Sequence, residues 1–131
     1  MKYLSDYMKD SQTKLLRETG AFFAFSEKQF AESKKEGVEY VGLDAGLICP
    51  NKSVDALIDG LERIYREGVR QDIEENGIHA IIQRELGNHE CQLTGSIQEC
   101  VDALAGYPIT REQIQSEWKE FLQMEEENEN L

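Results

Sequence analysis

No stretch of this chain approaches the roughly 18 apolar residues that a membrane-spanning helix needs. The opening residues, MKYLSDYMKDSQTK, hold no apolar core of a secretory signal. Cysteine is sparse and odd in number. Cys49, Cys91 and Cys100 lack the spacing of a disulfide framework, so free thiols in a reducing cytoplasm are expected. Basic residues are outnumbered, 14 Lys and Arg against 26 Asp and Glu, for a formal charge of −12. Such a surface repels phosphate backbones and disfavours direct nucleic-acid binding. Membrane attachment through an amphipathic helix is disfavoured too, because the polar faces carry excess acid rather than lysine. The charge suits a basic partner, including the nucleic-acid-binding groove of another protein, although solubility alone accounts for many acidic totals.

Catalytic signatures are also missing. No G-x-S-x-G, H-E-x-x-H or paired C-x-x-C occurs. GLDAGL has two glycines four apart but neither the trailing glycine nor the lysine of a phosphate loop, and reads as a hairpin turn. Zinc needs about four Cys or His ligands with short paired spacing. His89-x-Cys91 is one pair, Cys100 lies too far along, and Cys49 or His79 joins only if the fold brings it there. No metal and no cofactor are expected. The one unperiodic polar cluster is Asn88-His89-Glu90-Cys91, preceded by Glu85. Within it His89 is the candidate general base or ligand, Glu90 and Glu85 are candidate orienting acids, and Asn88 is a polar contact. A lone loop histidine is more often solvated or capping a helix.

What the chain has is helical periodicity. In SVDALIDGLERIYREGVRQDIEEN, residues 53–76, Val54, Leu57, Ile58, Leu61, Ile64, Tyr65, Val69 and Ile73 step by three or four. A long central helix is predicted. A helix over residues 3–19 precedes it, closed by Gly20. The run AFFAF, residues 21–25, reads as a short strand apolar on both faces and hence central in a sheet. Ser26 with Gln29 forms a capping box for a helix through residue 36, with Phe25 and Phe30 as its staple. Residues 38–43 and 47–49 form a hairpin over a type I turn ending in left-handed Gly46. Asn76-Gly77 breaks the long helix, and a shorter helix follows to Leu86. Residues 88–95 read as a loop. Ser96 with Glu99, and Thr110 with Gln113, mark two more capping boxes, the last opening a helix with Ile114, Trp118, Phe121 and Leu122 on its apolar side. The period is lost from Glu125, in a frayed acidic tail. The fold class is α+β: one domain over residues 1–124, with a small three-stranded sheet near the N-terminus packed on a mostly helical remainder.

Two segments, ETGAFFAFSEKQFAE at residues 18–32 and RELGNHECQLTGSIQECVDALAGYPIT at 84–110, together with the hairpin and long helix, resemble an uncharacterised family of small acidic proteins seen in phages and gut bacteria. The resemblance brings no activity. It implies a phage context, in which small acidic proteins often block host defence machinery. The leading expectation is therefore a non-enzymatic acidic interaction protein, a phage-type inhibitor meeting a basic protein surface. Its binding residues are Glu112, Glu117, Glu120 and Glu125, with Trp118 as an aromatic anchor. The alternative is a small-ligand binder or modest enzyme using residues 85–91 around His89. A homodimer driven by Trp118 and Phe121 is the third reading, and the AFFAF strand would accept a partner strand if it lay at a sheet edge.

Overall fold

The computed structural model describes residues 1–129, which fall into two compact units. One spans Lys2–Gly68 and the other runs from Val69, with Met1.

In the first unit, α1 (Leu4–Thr19) starts where Asp6 accepts the Tyr3 backbone N–H at 2.8 Å, and ends at left-handed Gly20. Strand β1 (Phe22–Phe23) follows, then α2 (Glu27–Ser33), β2 (Tyr40–Gly42) and β3 (Leu47–Pro50). The sheet is antiparallel in the order β1-β3-β2. Phe22 pairs with Ile48, and Val41 with Cys49. The central place expected for the AFFAF strand therefore belongs to β3, which carries the buried Cys49 and Pro50. β1 sits at an edge, and Phe23 and Phe25 stack on each other in the open, 50% and 73% exposed.

At α2 the Ser26 hydroxyl accepts from the Gln29 N–H, as the sequence predicts, while the Gln29 side chain returns to the Phe25 N–H. The predicted staple does not close. Phe30 meets Phe22 and Tyr40 instead, so aromatic packing inside the sheet wins over the local pair.

The hairpin turn holds a surprise at Ala45, whose φ of 58° and ψ of 33° are left-handed, beside Gly46 at φ 79°. A Cβ there costs about 1–2 kcal/mol, which Asn tolerates better. Ala45→Asn should therefore raise stability, by about 0.5–1 kcal/mol in urea unfolding. No gain would mean that the turn relaxes without cost.

The long helix α3 (Val54–Asn76) begins in this unit. Its buried face is set as much by glycine as by leucine. A Cβ on Gly60 would lie 2.6 Å from the Leu15 side chain, and one on Gly68 would lie 2.8 Å from Met8 Cγ. Two glycines eight apart thus let α1 lie antiparallel against α3, around a core of Ala21, Cys49 and Leu57. Ile58, placed in the predicted stripe, is half exposed.

The second unit begins with the last turns of α3 and breaks at Gly77, φ 80°. It continues with α4 (Ile78–Asn88), a helical turn α5 (Cys91–Thr94), α6 (Gln98–Ala103) and α7 (Arg111–Glu129). α4 packs on α5, α6 and α7, burying Ile81, Ile82, Leu86, Cys91, Cys100, Leu104, Ile114 and Phe121. The predicted loop over residues 88–95 is largely helical. Glu90, left-handed at φ 52°, lets a new helical turn start two residues after α4 ends. Thr110 and Gln113 exchange both capping bonds at α7, as predicted, whereas at α6 the cap position falls on Ile97 and the predicted Ser96 accepts from the Gln98 N–H at 3.2 Å. α7 runs through Glu129, past Met124 where the period was expected to fail. Asn130 and Leu131 of that expected tail lie outside the described residues.

The sheet near the N-terminus, the helical remainder and the long helix make this an α+β fold. Among the described residues no helix is long and apolar enough to cross a membrane.

Candidate functional site

The sequence-predicted site residues fall into two places on the second unit. The first surrounds His89, which ends α4 and is about a quarter exposed. Its Nε2 lies 3.2 Å from Glu85 Oε2 and its Nδ1 3.8 Å from Glu99 Oε2. Glu85 and His89 stand four apart, one turn of helix, so the fold brings this predicted pair together. Asn88 and Glu90 are exposed.

Glu85 is not free for catalysis. Its other oxygen accepts from Arg84 Nε at 2.9 Å. Arg84 in turn grips Asp72 with both terminal nitrogens, each at 2.9 Å. Asp72 also accepts from the Tyr107 hydroxyl in a short bond and from Asn76 at 2.8 Å. Asp72 is wholly buried, and the Arg84 side chain is 4% exposed. Burial alone pushes the Asp72 carboxyl up, but bonds from Arg84, Tyr107 and Asn76 together hold it below the usual carboxylate range. Burial and the Asp72 charge push the Tyr107 hydroxyl up. Asp72 and Tyr107 are thus held in fixed protonation states that serve the structure.

The thiols nearby are equally inert. Burial pushes Cys100 up to about 12, with the neighbouring Cys91 and Glu85 adding to it. Burial, then Glu99, raises Cys91. At neutral pH both stay protonated, poor as nucleophiles and as ligands.

The second place is the exposed side of α7. Glu112 and Glu120 are exposed, Glu117 and Glu125 half-buried, and Glu126, Glu127 and Glu129 exposed again. Trp118 is half-buried and stacks on the buried Phe121, ring centroids 5.9 Å apart. Leu122 and Met124 stand out between the acids. His79, from α4, joins this face with its Nδ1 2.7 Å from Glu117 Oε2 and 3.9 Å from Glu120 Oε2. The bond to Glu117 raises the imidazole pKa. Burial pushes Glu117 up, but His79 and Gln83 together hold it low. Glu117 and Glu120, three apart on α7, share one side of the helix. Only the fold brings His79 to them. Elsewhere, a shallow hollow of about 280 Å³ is lined by Gly37, Val38, Glu39, Asn51 and Lys52, none of them a predicted site residue.

A small α+β chain with an acidic helix and a buried, fully bonded charge pair is the class these features define. The chain belongs to a family of unknown function, DUF7659, which matches residues 4–124. No curated protein and no solved structure matches it.

Proposed function

We propose that the chain is a non-enzymatic interaction protein that docks the acidic face of α7 on a basic protein surface, such as that of a nucleic-acid-binding protein. The observation that carries this is α7 itself. It carries Glu112, Glu117, Glu120, Glu125, Glu126, Glu127 and Glu129 against two basic residues of its own, Arg111 and Lys119, with Leu122 and Met124 exposed among them. Acids around a few apolar contacts resemble the polar rim and apolar centre of protein interfaces. Against the use of residues 85–91 as a catalytic loop stand the commitment of Glu85 to Arg84 and the protonated thiols.

The finer reading, a phage-type inhibitor of host defence machinery acting in the host cytoplasm, rests on the resemblance seen in the sequence and on the buried free cysteines. A homodimer through the same helix would cover Leu122 and Met124, and sedimentation at two protein concentrations separates it from docking on another protein.

The test compares immobilised wild-type protein with two charge-reversed triples, Glu112→Lys/Glu126→Lys/Glu127→Lys on α7 and Glu27→Lys/Glu32→Lys/Glu36→Lys in the first unit. Lysate proteins retained by the wild type at low salt should be lost from the α7 triple and kept by the control. Retention should also fall steeply with ionic strength. Retention that ignores salt, or that both triples lose equally, would sink the reading.

A further inference from the structure

His79, Glu117 and Glu120 offer an imidazole nitrogen and two carboxylate oxygens whose donor atoms all lie within 4.8 Å of one another. Donors about 2.0–2.2 Å from a tetrahedral ion stand about 3.3 Å apart. The two separations from His79 Nδ1, 2.7 and 3.9 Å, bracket that value. The donors come from two packed helices, α4 and α7, so the constellation is set by helix packing and does not depend on a loop. Two carboxylates also balance a divalent charge.

A neighbouring side chain braces the same carboxylate. Gln83, one turn after His79 on α4, donates its Nε2 to Glu117 Oε2 at 2.8 Å and to the Glu117 backbone oxygen at 3.0 Å. That is the placement of an outer-shell partner that orients a ligating carboxylate. The other end of the same planar amide, Oε1, is buried and has no hydrogen-bond partner among the described residues. Buried acceptors are seldom left unmatched, so this oxygen calls for a donor that an ordered water would supply.

We propose that His79, Glu117 and Glu120 form a binding site for a divalent transition-metal ion, Zn²⁺ suiting it best, with one coordination position left to water. Imidazole with carboxylate favours the later first-row ions, whereas Mg²⁺ and Ca²⁺ prefer all-oxygen shells. The site goes beyond the docking reading, and the α7 triple described above spares all three ligands, so the two stand or fall separately.

The experiment is calorimetric titration of chelator-treated full chain with ZnCl₂, with MgCl₂ and CaCl₂ as comparators. One saturable equivalent of Zn²⁺ is expected, bound more tightly than either comparator. His79→Ala and Glu120→Gln should each weaken it by tenfold or more, and Gln83→Leu by about tenfold. His79 and Glu120 are more than half exposed, so these variants should keep the wild-type circular dichroism spectrum. Co²⁺ in place of Zn²⁺ should give visible absorption bands that His79→Ala abolishes. Absence of saturable Zn²⁺ binding to the wild type would overturn the site. So would binding that survives His79→Ala, which would place the ion on the thiols or on other carboxylates, or Ca²⁺ binding as tight as Zn²⁺.

Discussion

Arg84→Met should destabilise the protein by about 3–5 kcal/mol, the cost of leaving a buried charge without its partner. Asp72 has no exposure to water and receives two of its bonds from Arg84. Removing the guanidinium leaves Tyr107 and Asn76 as neutral donors to an ionised carboxylate. Urea unfolding followed by circular dichroism measures the loss. The double variant Asp72→Asn/Arg84→Met should lose less than the sum of the two single changes, because neither charge is then stranded. Additive losses would mean that the two groups act independently.

The pH dependence has opposite signs in the two proteins. In the wild type the folded pKa of Asp72 is depressed below the ordinary value of 3.8. Its contribution is full above that value and is lost as pH falls through the folded pKa, because the unfolded chain takes up the proton first. In Arg84→Met the desolvated carboxylate loses its main partner, so its folded pKa should rise above the unfolded one. The variant should then recover stability as pH falls towards 4, where the wild type does not. Parallel acid profiles for the two proteins would contradict the assignment of Asp72 as the buried anion.

Phe121→Ala should cost about 3–5 kcal/mol, the usual loss on truncating a buried aromatic side chain. Phe121 is 8% exposed and lies against Gly87 of α4 and the ring of Trp118. Trp118 is the sole tryptophan, so its emission reports the same event and should shift to the red as its stacking partner disappears. A loss below about 1 kcal/mol accompanied by a change in oligomeric state would instead make Phe121 an interface residue, since core truncations do not spare stability.

Local signals were the legible ones. Residues 53–76 read as one helix, and Val54–Asn76 form one, because their apolar spacing and the Asn76-Gly77 stop agree. Ser26 and Thr110 were identifiable as caps because a cap is decided within four residues. Tertiary competition hid the rest. Three phenylalanines between Ala21 and Phe25 imply burial, yet β1 lies at the edge and leaves two of the rings in solvent. The buried anion Asp72 looks in sequence like any polar helix residue. Its meaning depends on Arg84 and Tyr107, twelve and thirty-five residues away. His89 and Glu85 were legible as a pair, but not the prior claim of Arg84 on Glu85. His79 was weighed only as a distant partner of His89 and Cys91, because its real partners, Glu117 and Glu120, sit on another helix.

The sealed cysteines give the molecule internal clocks. Cys49 lies in the first compact unit, while Cys91 and Cys100 lie in the second, and all three have no exposed surface. A thiol in that state reacts with an alkylating reagent only when its surroundings open, so the rate of modification counts openings. With cleavage and mass analysis to assign each adduct, a single labelling time course would time the breathing of either half without adding a probe to the chain.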